Sequence, residues 1–112
     1  MSEAGEQSRI MLALGGTIHI RVFRNNVGVA KFPNGSVVKY GLATGSADLI
    51  GWKSVTVTPD MLGTTVAIFL SVECKAPKGK LTDKQTAWLE AVRKAGGIGI
   101  VARSVQDISH LL

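Results

Sequence analysis

The sequence contains a single cysteine, Cys74, among 112 residues. One thiol cannot form a disulfide within the chain, which excludes a disulfide-stapled scaffold and favours a reducing compartment. Long apolar runs are also missing, because no segment approaches the roughly 20 apolar residues that a membrane span requires. The N-terminus lacks the charged start and apolar stretch of a signal peptide. We therefore expect a cytoplasmic protein with no membrane partner.

Acidic residues are scarce as well. The chain has 8 of them against 13 basic residues, which gives a net charge of +5. A basic surface attracts the phosphate backbone of nucleic acids in a salt-dependent way. Many small basic proteins never touch nucleic acid, so charge alone leaves this function open. The apolar content of 46% and the absence of repeats, linkers or low-complexity segments predict a single domain over residues 1–112.

Two charged residues end the most apolar segment of the chain. Residues 65–75 are rich in β-branched and large apolar side chains, which predicts a buried strand. Because strand side chains alternate, Glu73 and Lys75 point to one face, and the Cys74 thiol is expected in the core on the other. A buried strand rarely accepts two charges near its end unless they are paired or functional. This pair is therefore a candidate site.

A third charged residue lies upstream, in the segment 44–52. Asp48 follows a Gly-Ser turn and precedes a short apolar run, and 24 residues separate it from Glu73. Asp48 either caps the turn, as aspartate often does, or contributes a carboxylate to a site with Glu73 and Lys75. Carboxylate oxygens are the hard ligands that Mg²⁺ and Mn²⁺ prefer.

The remaining patterns predict alternating strands and helices. A helix is expected over 3–14 and another after a capping box that opens at Thr82. Strand, helix and strand over 65–102 predict a βαβ unit with parallel strands. A short final helix is expected to begin near residue 104. The other predicted strands are 17–24, 27–32, 36–40 after a turn at 33–35, 48–52, a short one at 55–58, and 98–102.

Gln85 has two interpretations. As the fourth residue of the capping box it is structural and reaches back to the Thr82 amide. It also lies on one helical face with Trp88, Leu89 and Val92, so a polar side chain at the head of an apolar stripe requires a partner. The second interpretation makes Gln85 part of the site.

The order acid, spacer, acid-x-Lys resembles the PD-(D/E)xK nuclease superfamily. The chain is more closely similar to a standalone VRR-Nuc domain, the virus-type replication-repair nuclease family. Four stretches carry the resemblance and span nearly the whole chain in the family's order: 3–7 (Glu-Ala-Gly-Glu-Gln), 23–28 (Phe-Arg-Asn-Asn-Val-Gly), 45–51 (Gly-Ser-Ala-Asp-Leu-Ile-Gly) and 72–89, followed by Gly96-Gly97.

The resemblance implies an α/β fold with a restriction-endonuclease-like core, in which a mixed β-sheet is flanked by helices. It also implies a Mg²⁺- or Mn²⁺-dependent endonuclease acting on DNA. Lys75 would orient or activate the attacking water, and Gln85 would contact that water. The implied metal ligands are Asp48, Glu73, the Cys74 backbone carbonyl and an acid on the first helix, for which Glu3 fits best and Glu6 is the rival.

Further basic and polar residues flank these positions. Arg24 and Asn25 either contact phosphate or form a strand bend, and three lysines either hold the DNA backbone or lie on a solvated loop: Lys78, Lys80 and Lys84.

Standalone members of the family resemble junction-resolving or structure-specific endonucleases of bacteriophage. Branched DNA, above all the four-way junction, and a two-fold homodimer are therefore the expected partners. A non-catalytic DNA-binding module and a sequence-specific restriction-type nuclease remain alternatives.

Overall fold

The computed structural model describes residues 2–112, and the chain divides into two compact units, Met1–Val55 and Thr56–Leu112. The predicted mixed α/β class is confirmed. Among the described residues, the strands pair in three two-stranded sheets, two antiparallel and one parallel. No described helix combines the length and the apolar character that crossing a bilayer demands.

Helix α1 (Glu3–Gly15) opens the first unit, close to its predicted bounds. The Ser2 hydroxyl accepts a hydrogen bond from the Gly5 N–H at 3.0 Å and caps the helix. Glu3 and Glu6 lie in the first turn, where negative charge interacts favourably with the helix dipole. The Gly16 N–H then bonds to the Leu12 carbonyl and ends the helix.

Strands β1 (Ile20–Arg24) and β4 (Leu49–Lys53) form an antiparallel pair in the same unit. Strand β1 is shorter than the predicted 17–24, because the Ile20 N–H bonds back to the Thr17 carbonyl in a turn. Gly51 permits the close approach of the strands, since an added Cβ would lie 2.0 Å from the Arg21 carbonyl oxygen. Strand β4 begins directly after Asp48.

The predicted hairpin is also present. Strands β2 (Gly28–Lys31) and β3 (Val37–Tyr40) are antiparallel, with Gly28 opposite Tyr40. Asn34 Oδ1 accepts from the Ser36 N–H at 3.0 Å, and Gly35 adopts a φ of 86°, which favours glycine at this turn.

The second unit is built on a parallel βαβ arrangement, as predicted. Strand β5 (Leu70–Cys74), helix α2 (Asp83–Lys94) and strand β6 (Ile98–Ala102) follow one another, and β5 pairs with β6 from Leu70↔Ile98 to Cys74↔Ala102. A 3₁₀ turn (Pro59–Met61) precedes these elements and a 3₁₀ helix (Val105–Leu111) follows them. No strand forms at 55–58, so that prediction is wrong. The strand predicted over 65–75 is shorter, because only Leu70–Cys74 pairs with β6.

Helix α2 packs on the face of the β5–β6 pair that carries Ser71 and Glu73. Leu89 and Val92 are its buried side chains, at 2% and 1% exposure. Gly99 allows this approach, since an added Cβ would lie 3.0 Å from the Leu89 carbonyl oxygen. The opposite face of β5, with Leu70 and Val72, remains exposed.

Cys74 lies on this opposite face, and the prediction that its thiol is buried in the core is wrong. The residue is exposed, because the alternation of β5 turns Cys74 away from the face that α2 covers.

Candidate active site

The charged pair at the end of β5 shares one face, as the alternation predicts. Lys75 Nζ lies 3.4 Å from Glu73 Oε1, with the Lys75 side chain 19% exposed and the Glu73 side chain 32% exposed. The Lys75 N–H bonds to the Ala102 carbonyl at 3.0 Å and extends the pairing beyond the strand. Both functional groups are therefore carried by backbone that is fixed at the end of a parallel pair.

Gln85 contacts this pair and also forms the predicted capping box, while its role in a functional site stays a prediction. Its Oε1 accepts from the Thr82 N–H at 3.0 Å, which completes the capping box with the Thr82 hydroxyl. Its Nε2 donates to Glu73 Oε1 at 3.1 Å. One amide thus uses its acceptor to begin α2 and its donor to orient the carboxylate.

A second contact fixes α2 above the same face. Trp88 Nε1 donates to the Ser71 hydroxyl at 2.7 Å, one turn along the helix from Gln85 and two residues before Glu73 on the strand. Ser71 carries little sign of this contact in the sequence. Its signals are its position two residues before Glu73, which puts both on one face of the strand, and the position of Trp88 one helical turn after Gln85.

The Glu73 carboxylate keeps one oxygen open. Both contacts described above reach Oε1, and no hydrogen bond within the described residues reaches Oε2. A carboxylate held on one oxygen by an amide and an ammonium group has its second oxygen available for a cation or a water molecule.

Asp48 belongs to the first unit and ends a loop that Asn25 organises. Asn25 is 8% exposed, and its Nδ2 donates to Ser46 Oγ at 2.7 Å and to the Ala47 carbonyl at 2.9 Å. Its Oδ1 accepts from the Leu42 N–H at 3.0 Å. The Asn25 N–H also donates to the Asp48 carbonyl oxygen at 2.8 Å. The Asp48 side chain is left exposed at the start of β4, with no partner among the described residues.

The two acids of α1 differ in their contacts. Glu6 Oε2 accepts from Arg9 Nη2 at 2.6 Å in an exposed ion pair. Glu3 makes no hydrogen bond or ion pair within the described residues, so its carboxylate is more available to a ligand than that of Glu6.

The predicted phosphate-binding cations are all exposed. Arg24 Nη2 donates to Ser8 Oγ at 3.3 Å in the first unit. In the second unit, Lys78 and Lys80 lie on the loop after β5, and Lys84 lies in the first turn of α2. None of these three lysines has an ion pair in the described part of the chain. The predicted contact of Asn25 with nucleic acid stays a prediction, although its amide already bonds within the loop.

The fit of a divalent cation can be tested on donor chemistry. Across residues 2–112, no three His, Cys, Asp or Glu residues are grouped closely enough to hold a metal ion. Taken one at a time, the donors have the right chemistry, because the carboxylates of Asp48 and Glu3 and the Oε2 of Glu73 have no partner among residues 2–112. Hard oxygen donors of this kind match Mg²⁺ and Mn²⁺.

Comparison with known proteins gives one family. The model of the VRR-NUC domain matches residues 29–106, which include the whole βαβ arrangement and the candidate residues Asp48, Glu73, Lys75 and Gln85. Neither the curated proteins nor the solved structures give a match. The match covers well over half of the chain, and the chain therefore belongs to the VRR-NUC domain family, whose members are nucleases that act on DNA.

Proposed function

We propose that this chain is a divalent-metal-dependent endonuclease that hydrolyses phosphodiester bonds of branched DNA. The observation that supports it most directly is the convergence of Lys75 Nζ and Gln85 Nε2 on Glu73 Oε1, at 3.4 Å and 3.1 Å. This arrangement sets a carboxylate, a cation and an amide side by side at the end of a strand.

Each residue has a distinct task in the proposed reaction. Glu73, Asp48, the Cys74 carbonyl and Glu3 are proposed as oxygen ligands of the cation by resemblance to the family, since no three acidic residues are grouped in the described part of the chain. Mg²⁺ or Mn²⁺ bound there would polarise the scissile phosphate and lower the pKa of a bound water. Lys75 stabilises the negative charge that develops on the phosphate and orients the attacking water. The water oxygen forms a new bond to phosphorus as the bond to the leaving oxygen breaks. Gln85 orients the Glu73 carboxylate through its hydrogen bond to Oε1.

The proposed substrate is a four-way junction or a flap. The exposed lysines that flank the site, Lys78, Lys80 and Lys84, suit contacts with the phosphate backbone, so recognition through backbone and shape is favoured. Resolution of a symmetric junction requires two cuts, and one chain supplies one site. A two-fold homodimer would supply the second.

A cleavage assay tests this proposal. Labelled four-way junction, flap, single-stranded and plain duplex DNA are incubated with Mg²⁺, with Mn²⁺ or with EDTA, beside Asp48→Ala and Lys75→Ala. We expect metal-dependent cuts in branched DNA that both substitutions abolish. Paired cuts across the junction, with a dimer by light scattering, support resolution.

The alternatives give different results in the same assay. Binding of junction DNA with no cleavage under either metal contradicts the nuclease and leaves a binding module. Cuts confined to one sequence of plain duplex identify a restriction-type enzyme. A monomer on DNA counts against junction resolution but not against cleavage.

The two roles of Gln85 can be separated by substitution. Gln85→Glu retains an oxygen that accepts from the Thr82 N–H, but it loses the donor to Glu73 and places a second carboxylate there. We expect cleavage to fall by about 10- to 100-fold, as for other residues that orient a ligand. Thr82→Ala should instead cost about 1 kcal/mol of unfolding free energy and leave the cleavage rate unchanged. Single-turnover rates and thermal unfolding measure both, and equal rates for Gln85→Glu and the unaltered protein would contradict the positioning role.

A further inference from the structure

The structure assigns Arg103 as a positioning residue for the loop that follows the Glu73-Cys-Lys75 segment. It holds this loop in one conformation, so that the lysines of the loop can contact DNA phosphates. Arg103 Nη1 donates to the Ala76 and Gly79 carbonyls, both at 2.7 Å, and lies 3.4 Å from the Pro77 carbonyl. This inference rests on the proposed function, because the loop carries Lys78 and Lys80 beside the proposed site.

Arg103 is itself anchored at the end of β6. Its N–H donates to Asp107 Oδ2 at 2.8 Å, and the preceding Ala102 carbonyl accepts from the Lys75 N–H at 3.0 Å. The guanidinium group therefore reaches the loop from a fixed position on the neighbouring strand. All three loop contacts come from Nη1, at the end of a side chain that is longer than that of lysine, so a lysine ammonium does not reach the same carbonyls.

Few other contacts are described within the loop at residues 76–80. The Gly79 N–H bonds to the Ala76 carbonyl at 2.9 Å, which closes a single turn. The Ala76 and Gly79 carbonyls that flank this turn both point to Arg103. Without the guanidinium group, the loop would retain one turn bond and sample more conformations.

A fixed loop matters because it carries cations. Lys78 and Lys80 are exposed and make no ion pair among the described residues, so their ammonium groups are available to phosphate oxygens. Ordering a mobile loop upon binding costs conformational entropy, and a loop that is already ordered avoids that cost. Arg103 would thus act on DNA affinity through the lysines and not through a phosphate contact of its own.

DNA affinity in EDTA, where cleavage cannot occur, tests this inference. Fluorescence anisotropy of a labelled four-way junction is measured for the unaltered protein, Arg103→Lys, the double variant Lys78→Gln/Lys80→Gln, and the combined triple variant. We expect Arg103→Lys to weaken binding by about tenfold although the charge is kept. In the triple variant the Arg103 substitution should add less than about twofold, because residues that act through a shared element are not additive.

Arg93→Lys is the matched control. Arg93 Nε also donates to a backbone carbonyl, that of Gly99 at 2.7 Å, but at the packed α2–β6 contact and not at the loop. We expect its substitution to leave junction affinity unchanged. Arg103→Gln, which retains a planar amide donor, serves as a second variant if Arg103→Lys does not fold.

The outcomes are distinct. Unchanged affinity in Arg103→Lys or Arg103→Gln overturns the inference and leaves the proposed function standing. A full additional loss in the triple variant also overturns it, because Arg103 would then contact phosphate directly. Absence of junction binding by the unaltered protein counts against the proposed function itself, and the inference fails with it.

Discussion

Replacing Glu73 by glutamine is expected to reduce DNA cleavage by at least about 10²-fold, because it removes a charge at the reacting centre while keeping the shape of the side chain. The new amide oxygen can still accept from Gln85 Nε2, which now lies 3.1 Å from Glu73 Oε1. What is lost is the carboxylate charge that pairs with Lys75 Nζ at 3.4 Å and the anionic oxygen proposed to bind the cation. Single-turnover cleavage at saturating Mg²⁺ measures the effect.

The same substitution should leave the fold intact. Both side chains of the Glu73–Lys75 pair are partly exposed, and such ion pairs contribute less than about 1 kcal/mol to the free energy of unfolding. Glu90→Gln is the matched control, since Glu90 is an exposed acid on α2 in the same unit. Cleavage by Glu73→Gln at the rate of Glu90→Gln would remove Glu73 from the catalytic machinery.

The βαβ unit could be predicted because its signals are local and agree with one another. Alternating apolar residues, a capping box at Thr82 and a Gly96-Gly97 stop each predict the next element, and α2 and β6 lie where expected. For the same reason, the sequence predicts Gln85 both as a capping residue and as a residue on the apolar face of the helix. Side-chain directions repeat every two residues along a strand and about every 3.6 residues along a helix. The sequence alone therefore indicates which residues share a face.

The length and burial of β5 could not be predicted in the same way. Composition over 65–75 indicates a strand, but the paired length depends on the extent of β6. Likewise, alternation separates Cys74 from Glu73 but does not state which face receives α2. Gly97 and Gly99 favour the face that α2 covers, because an added Cβ would lie 2.9 Å from Val92 Cγ1 at Gly97 and 3.0 Å from the Leu89 carbonyl oxygen at Gly99.

The roles of Asn25 and Arg103 depend on contacts between distant residues. Asn25 bonds to residues 17 to 23 positions away, and the Arg103 guanidinium group bonds to residues 24 to 27 positions away. Both donate to or accept from backbone atoms, which leave no mark in side-chain patterns. In the sequence, an asparagine in a polar bend and an arginine after a strand are both typical of solvated surface residues, so their contacts are visible only in the three-dimensional structure.

Asp48→Asn is expected to weaken Mn²⁺ binding by about 10- to 100-fold and to abolish cleavage at low metal concentration. The loop that carries it should not change, because Asn25 bonds to the Asp48 backbone carbonyl at 2.8 Å and to Ser46 and Ala47, none of which the substitution alters. The loss would therefore come from the carboxylate alone. Calorimetric titration with Mn²⁺ in the absence of DNA measures binding without reference to activity.

Asp60→Asn is the appropriate comparison for this variant, because it also removes an exposed carboxylate. Asp60 lies in the 3₁₀ turn and accepts from the Thr58 hydroxyl, so its charge is already engaged in local structure. Asp48 has no such partner among the described residues, and an unpartnered carboxylate at the start of a strand contributes little to stability. If Asp48→Asn bound Mn²⁺ as tightly as Asp60→Asn does, Asp48 would only end a turn and would leave the proposed ligand set.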